Sequence, residues 1–299
     1  MAIESQPFNF GGIEGNFPGG KPRYAVLPVP YDLTASYGSG MRNGPRAIIE
    51  ASTHMELYDE ELGCEHFASG IETLRMLEST TFGPERMIER IEGAVTGIVK
   101  RGVIPVMLGG EHSITLGAVR ALKKKYKNLS VLQFDAHADM RDEYQESPFN
   151  HACVGRRISE ICPIAQIGIR SLSIEEAGFL KSAAKSKKYG ILTCYASAIK
   201  KKGVKDALKR VLKTLTKDVF ITIDLDVFDP SIMPSTGTPE PGGLVWHEVL
   251  DVLRGVIERK NIRGFDVVEL APQPGNPAPD FMAAKLVYKI MGYVNARLD

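Results

Sequence analysis

Short runs of apolar residues recur along the chain, each followed by a longer stretch whose apolar positions return every three or four residues. Runs apolar on both faces read as buried strands, and the stretches between them as amphipathic helices. Tyr24–Val29 is the first strand candidate, closed by Pro28 and Pro30. A glycine-rich loop over Ser36–Gly44 follows, and Pro45 opens a helix to about Glu61, since proline suits a first helical position. Met87, Ile91, Ala94, Val95 and Ile98 stripe a helix over Pro84–Lys100. Ile104–Leu108 is a strand ending in Gly109-Gly110, and Ser113 is placed to cap a helix reaching Tyr126. Ser130–Phe134 is the next strand. Helices over Cys153–Ile161, Ile174–Ala184, Val204–Leu215, Val245–Glu258 and Pro279–Arg297 then alternate with strands at Ile164–Ile169, Gly190–Cys194, Val219–Asp224 and Gly264–Glu269.

Strands alternating with helices predict an α/β fold: three layers, α/β/α, around a mostly parallel central sheet. No break in composition divides the chain, so residues 23–299 are expected as one domain. Residues 1–22, rich in Gly, Pro, Phe and Asn without a period, are expected as an arm laid on its surface.

Composition changes this picture little. With 299 residues, 43% hydrophobic, the chain can bury a large core, and a net charge of +1 gives no general pull toward nucleic acid or membrane. The lysine runs at 123–125 and 200–202 read as exposed helix faces or ends. Cys64, Cys153, Cys162 and Cys194 have no zinc-type spacing and read as reduced thiols of a cytoplasmic protein. No charged-then-apolar leader and no membrane-length apolar run are apparent.

The chemistry concentrates after the strands. In Phe134-Asp135-Ala136-His137-Ala138-Asp139, three metal-capable side chains stand at alternate positions, and in an extended segment they share one side. Asp224 and Asp226 repeat the spacing after Val219–Ile223, and His112 follows Ile104–Leu108. Each segment by itself also reads as an acidic turn or a helix cap. In an open parallel sheet all of them fall at the C-terminal edge, where ligands gather. Four carboxylates and two imidazoles then balance two divalent cations sharing a water. Oxygen and imidazole donors without thiolate suit Mn²⁺, with Fe, Ni, Co and Zn open.

Gly109-Gly110-Glu111-His112-Ser113, Phe134–Asp139, Asp224–Pro230 and Thr236–Gly243 resemble the signature stretches of the ureohydrolases, the family of arginase, agmatinase, guanidinobutyrase and formimidoylglutamase. The resemblance covers roughly residues 24–297. It implies two Mn²⁺ per subunit, hydrolysis of a guanidino group to urea and an amine, and a homo-oligomer, commonly a trimer or hexamer. Carried over by position, it implies that His112, Asp135, Asp139 and Asp224 hold one ion. Asp135, His137, Asp224 and Asp226 hold the other, with Asp135 and Asp224 bridging. It likewise implies that His151 relays protons, Glu269 pairs with the guanidinium, Thr238 lines the substrate loop and Asp139 orients the attacking water. Without the resemblance, His151 reads as a helix N-terminal residue and Glu269 as an acid at a strand end. A histidine titrating near neutrality would suit protonation of the leaving amine.

Within the family, Ser36–Ile49, Glu56–Glu61 and the spacing from Asp139 to His151 are closest to the agmatinases. Ser171 and Ser173 stand where arginases carry aspartates that read an α-amino group, which argues against arginine. The expected substrate is therefore agmatine, cleaved to urea and putrescine. Aminopropylagmatine, guanidinobutyrate, arginine and a formimidoyl compound remain alternatives. Gly155 stands where a larger residue is common in agmatinases, which leaves two readings open: a wider mouth that admits a longer polyamine, or a packing effect alone. Glu143 and Glu146 are candidate mouth acids, and Arg156 and Arg157 would serve an acidic substrate only by pointing inward. A single-zinc deacetylase-like hydrolase and a non-catalytic polyamine-binding relative are the competing classes. His54, His66 and His247 are expected to be surface or helix histidines.

Overall fold

A computed structural model describes residues 7–13, 20–186 and 190–298. Its ten strands are β1 (Tyr24–Val29), β2 (Tyr58–Asp59), β3 (Cys64–Glu65), β4 (Ile71–Thr73), β5 (Ile104–Gly109), β6 (Leu129–Phe134), β7 (Ile164–Ile169), β8 (Ile191–Tyr195), β9 (Asp218–Asp224) and β10 (Asn261–Val268). Eight of them form one sheet in the order β4-β1-β5-β10-β9-β6-β7-β8. Every neighbouring pair in that sheet runs parallel. The helices are α1 (Gly44–Ser52), α2 (Pro84–Lys100), α3 (Thr115–Lys125), α4 (Val154–Ser159), α5 (Ile174–Lys185), α6 (Ala196–Lys202), α7 (Val204–Thr214), α8 (Trp246–Ile257) and α9 (Ala278–Leu298).

The two-residue period of the strands divides the core into two layers. Tyr24, Val26, Val106, Leu108, Leu132 and Phe134 face α1 and α6 to α9, while Ala25, Leu27, Met107, Leu129 and Val131 face α2 to α5. The three-layer α/β/α arrangement is the one expected. Residues 1–6 and 14–19 of the arm lie outside the described residues. Of its described part, Phe10 is buried, and the Phe10 and Gly11 amides donate to Thr73 Oγ1 and Ser52 Oγ.

Several elements depart from the sequence reading. The helix from Pro45 stops at Ser52 instead of Glu61, and β2 pairs with β3 in an antiparallel ribbon. Asp59 explains the change: its carboxylate accepts the Glu61 and Leu62 amides at 3.0 and 3.1 Å, a local turn that competes with helix. Lys289 Nζ lies 2.9 Å from Asp59 and 2.7 Å from Glu61, so the turn is anchored to α9 by an ion pair. His66, expected at the surface, is buried in this cluster, with Nε2 3.5 Å from Asp59 Oδ2. His54 and His247 are exposed. The short edge strand β4 and helix α6 were not foreseen, and Gly203, at φ 83°, separates α6 from α7. Ser113 does not cap α3, because its hydroxyl donates to Glu111 instead.

Candidate metal centre

The four central strands of the sheet, β5, β10, β9 and β6, end beside one another, and each hands a functional segment to the same edge. His112 sits in a short turn after β5, Asp135 to Asp139 follow β6, Asp224 closes β9 with Asp226 two residues on, and Glu269 follows β10. His112 Nδ1 lies 3.1 Å from Asp135 Oδ2, 3.2 Å from Asp139 Oδ2 and 3.4 Å from Asp224 Oδ2. His137 Nδ1 lies 2.8 Å from Asp226 Oδ2 and 3.7 Å from Asp135 Oδ1. Five of the six predicted donors therefore converge in two groups, His112–Asp135–Asp224 and Asp135–His137–Asp226, that share Asp135, and Asp139 joins the first through its approach to His112.

These residues fit a pair of cations. His112 Nδ1 is buried and makes no hydrogen bond, although three carboxylate oxygens surround it. A ring nitrogen whose lone pair meets only acceptors is a ligand atom awaiting a cation. Its other nitrogen, Nε2, is 2.9 Å from Thr222 Oγ1, in a chain that continues through Thr115 to Asp266. A hydrogen bond donated by Nε2 leaves Nδ1 bare, as a metal ligand requires.

The electrostatics carry the same message. Burial raises the Asp224 carboxyl well above its usual range, and Asp226 and Asp135 push it further. Burial, then Asp135, lifts Asp139 to about 7. Burial would depress His137, but Asp226 outweighs it and the ring is held at about 11. Without cations the cluster holds itself together only by taking up protons. Divalent ions would replace those protons.

Outer contacts aim the donors. Gln133 Nε2 donates to Asp135 Oδ2 at 2.8 Å, and Gln166 Nε2 donates to Gln133 Oε1 and to Ala138 O. The Asp226 carboxylate accepts the Ala136 amide, and Asp224 accepts that of Asp226. Arg170 donates to the backbone carbonyls of Asp226 and Glu240 at 2.6 and 2.7 Å, tying two site loops together. None of these supports was foreseen. Gln133 and Gln166 were hidden within runs read as apolar, although Gln133 shares the face of Asp135 by the period of two.

Regular extension fails where the chemistry begins. Asp139 and Glu269 have φ of +52° and +67°, a backbone region uncommon for side-chain-bearing residues. Asp139 therefore reaches the cluster through a turn instead of by the strand period. Gly155 lies beneath that turn: a Cβ there would stand 2.9 Å from Ala138 O and 3.1 Å from Asp139 O. It lets α4 approach the metal segment, and it does not line the cavity, so it does not widen the mouth.

A cavity of about 170 Å³ opens over the cluster, lined by His112, His137, Asp139, Asp224, His151, Thr238 and Glu269. Its roof is made by the glycine-rich loop and the Thr236–Gly243 loop. They touch through the Gly38 amide on Gly237 O at 3.1 Å, where a Cβ on Gly38 would collide at 2.7 Å. Glu269 accepts the His112 amide through Oε1 at 2.6 Å. Burial pushes its carboxyl well above the usual range, and Glu111 pushes it further. Burial holds His151 down at about 4, so it is neutral at neutral pH rather than titrating there. Thr34 Oγ1 lies 3.1 Å from His151 Nδ1 and donates to Glu111 Oε1 at 2.7 Å, a contact the motifs did not reveal.

Other expectations about the mouth change. Ser173 caps α5 in a reciprocal pair with Glu176, and neither it nor Ser171 lines the cavity. Arg156 and Arg157 engage Asp142 and Glu160. Glu143 and Glu146 are exposed outside the lining, whereas Glu240 stands 3.9 Å from His137 Nε2 at the rim.

Comparison with known proteins agrees with this geometry. Residues 22–292 match the arginase family. An N(1)-aminopropylagmatine ureohydrolase from Synechocystis is 40% identical over 277 residues, covering 90% of this chain and 88% of the relative. An agmatinase from Pyrococcus horikoshii is 36% identical over 276 residues, covering 90% and 91%. The crystal structure of the agmatine ureohydrolase of Thermoplasma volcanium superposes with a TM-score of 0.86 at 31% identity, covering 99% of this chain and 97% of that one. Matched along nearly its whole length in sequence and in fold, the chain belongs to the arginase family of ureohydrolases.

Proposed function

We propose that the chain hydrolyses the terminal guanidino group of a linear, doubly cationic substrate, agmatine, to urea and putrescine. One observation carries the reading: His112, His137, Asp139, Asp224 and Glu269 face a single cavity, and beyond these residues its described lining adds no further carboxylate for an α-amino acid head. Two divalent ions, Mn²⁺ by donor type, would be held by His112, Asp135, Asp139 and Asp224 on one side. Asp135, His137, Asp224 and Asp226 would hold the other, with Asp135 and Asp224 between them. When bound, such a pair supplies a nucleophilic water at neutral pH.

The chain's own residues do the rest. Glu269, with Oε1 occupied by the His112 amide, presents its remaining acceptor capacity to the guanidinium. The substrate's positive charge keeps that carboxylate ionised despite burial. Its rigid attachment at the strand end fixes the plane of the planar cation over the acid cluster. Asp139 orients the attacking water by accepting its hydrogen bond. His151, neutral at rest, takes a proton only during turnover and passes it to the departing amine. Thr238 stands on the substrate side of the cavity, and Glu240 at the rim attracts the distal ammonium.

The 40% identity to a protein named for aminopropylagmatine favours that longer polyamine as a second substrate. The same reading makes this a cytoplasmic homo-oligomer, trimeric or hexameric, acting on a small cation and on neither nucleic acid nor membrane. No described helix is long and apolar enough to cross a membrane. The test is urea release by Mn²⁺-loaded protein on agmatine, aminopropylagmatine, arginine and 4-guanidinobutyrate in parallel. Turnover of agmatine, alone or with aminopropylagmatine, supports the proposal. Preference for arginine or the guanidino acid overturns the substrate assignment, and no urea from any substrate overturns the reaction.

A further inference from the structure

Thr34 and Glu111 belong to no donor group of the metal centre, yet they are built around His151. Glu111 is completely buried, and three donors converge on it. The Thr34 amide donates to Oε2 at 2.6 Å, the Thr34 hydroxyl to Oε1 at 2.7 Å and the Ser113 hydroxyl to Oε1 at 2.5 Å. A threonine hydroxyl has one proton, and here it is committed to Glu111. Toward His151, Thr34 Oγ1 therefore offers only lone pairs. It accepts the His151 backbone N–H at 3.1 Å and stands 3.1 Å from Nδ1. Only a proton on Nδ1 satisfies that second contact.

We infer that Glu111, acting through Thr34, is a positioning residue that fixes both the tautomer and the orientation of His151. Two contacts to one oxygen, from the backbone and from the ring, hold the imidazole plane. Tyr144 buttresses it edge-on, with centroids 6.3 Å apart. Nε2 is left without a proton on the side of Ser36 Oγ, 3.5 Å away, and of the cavity. The inference rests on the proposed role of His151 in carrying a proton. In that role Nε2 accepts a proton released by the attacking water and returns it to the leaving nitrogen, so the ring ends each cycle as it began. The opposite tautomer would present an N–H to the cavity and could accept nothing there.

The test reads the tautomer directly. Protein labelled with ¹⁵N-histidine and loaded with diamagnetic Mg²⁺ gives ring-nitrogen signals for only six histidines, and His151→Asn identifies the relevant pair. The expected spectrum shows a protonated Nδ1 and a bare Nε2. Thr34→Val should mix the tautomers and lower kcat by roughly 10²-fold, the smaller end of proton-transfer contributions, with KM little changed. Thr34→Ser should restore both spectrum and kcat. Glu111→Gln, whose amide can donate to Thr34, should reverse the chain and move the proton to Nε2. A bare Nδ1 in the unaltered protein, or an unchanged spectrum in both Thr34→Val and Glu111→Gln, overturns the inference. Loss of kcat in Thr34→Val without a spectral change would mark Thr34 as a plain strut for its loop and also overturns it. Because the spectrum needs no turnover, a protonated Nδ1 that moves as expected, beside no urea from any substrate, would leave the positioning intact and sink the reaction.

Discussion

Two buried clusters in this molecule combine carboxylates with histidine, and they treat charge in opposite ways. Around α9, buried Asp59 and the more exposed Glu61 meet Lys289 at 2.9 and 2.7 Å, and against the opposing effect of desolvation this ammonium helps hold both carboxyls below the usual range. At the strand ends, Asp135, Asp139 and Asp224 meet no lysine or arginine, and burial drives their carboxyls up. The first cluster carries its own countercharge and is complete as folded. The second has its charges placed for a partner the chain does not encode. Perturbed acids mark a candidate functional site in one place and a structural pair in the other; Asp226, held at about 2 by His137 despite its burial, shows that the source of the countercharge, and not the direction of the shift alone, separates them.

The sharpest way to break this comparison is to remove one acid from each. Asp135→Asn and Asp224→Asn should abolish urea release and weaken metal binding by more than the ~10- to 100-fold typical of outer-shell changes. In chelator, the same substitutions should raise the melting temperature, because they relieve repulsion. Asp59→Asn should lower it and leave metal stoichiometry at two. Equal signs for the two sites in a thermal melt would erase the distinction. Lys289→Met should next cost about 3–5 kcal/mol by leaving buried acids unpaired, measured by urea denaturation with metal content as the control. Removing metal from the unaltered protein should lower stability by about 2.7 kcal/mol per ion, for each site held at 100 times its dissociation constant. The Asp135→Asn protein should respond much less.

Two smaller effects sharpen the contrast. Gly155→Ala should cost about 1–3 kcal/mol as an overpacked contact, and the required shift of the Asp139 turn should reduce turnover more than global stability. The pH response of the metal-free protein should also be distinctive. Acids with raised folded pKa values bind more protons folded than unfolded, so between pH 4 and 8 the strand-end cluster should lose stability as pH rises. The depressed Asp59 works the other way. Its contribution is present above the unfolded carboxyl value and is lost as pH falls through its folded one. Denaturation midpoints at pH 5 and 8, with and without Mn²⁺, test the pair. A metal-free protein more stable at pH 8 would contradict the assignment for the strand ends.

Much of this was readable in advance because it follows from local periods. Alternating apolar runs located seven of the eight sheet strands, and the two-residue spacing of Asp135 and His137 and of Asp224 and Asp226 set these side chains at one sheet edge, whereas Asp139 arrives there through a turn. What escaped lay in contacts between distant segments. Thr34 is an unremarkable loop residue until it is seen against His151, and Arg170 is one arginine among many until it reaches the carbonyls of Asp226 and Glu240. The helix expected through Glu61 failed because the Asp59 carboxylate captures two amides, a competition that propensity alone does not decide. His66, expected on the surface or a helix, is buried because Asp59 meets its ring while Tyr288 and Asn295 of α9, more than 200 residues away, bond its backbone. Gly155 was open between a wider mouth and a packing effect, and the carbonyls above it, which no spacing reports, decide for packing.

The strand order has a consequence for how the two donor groups are assembled. β10 follows the other nine strands in the sequence, and among the described residues it alone joins the half-sheet β4-β1-β5 to the half-sheet β9-β6-β7-β8. His112 belongs to the first half, and the aspartates and His137 belong to the second. Without β10 no strand pairing holds His112 against Asp135 and Asp224, whereas Asp135, His137 and Asp226 all follow the adjacent strands β6 and β9. One donor group thus depends on the longest-range pairing of the sheet and the other on a single neighbouring pair.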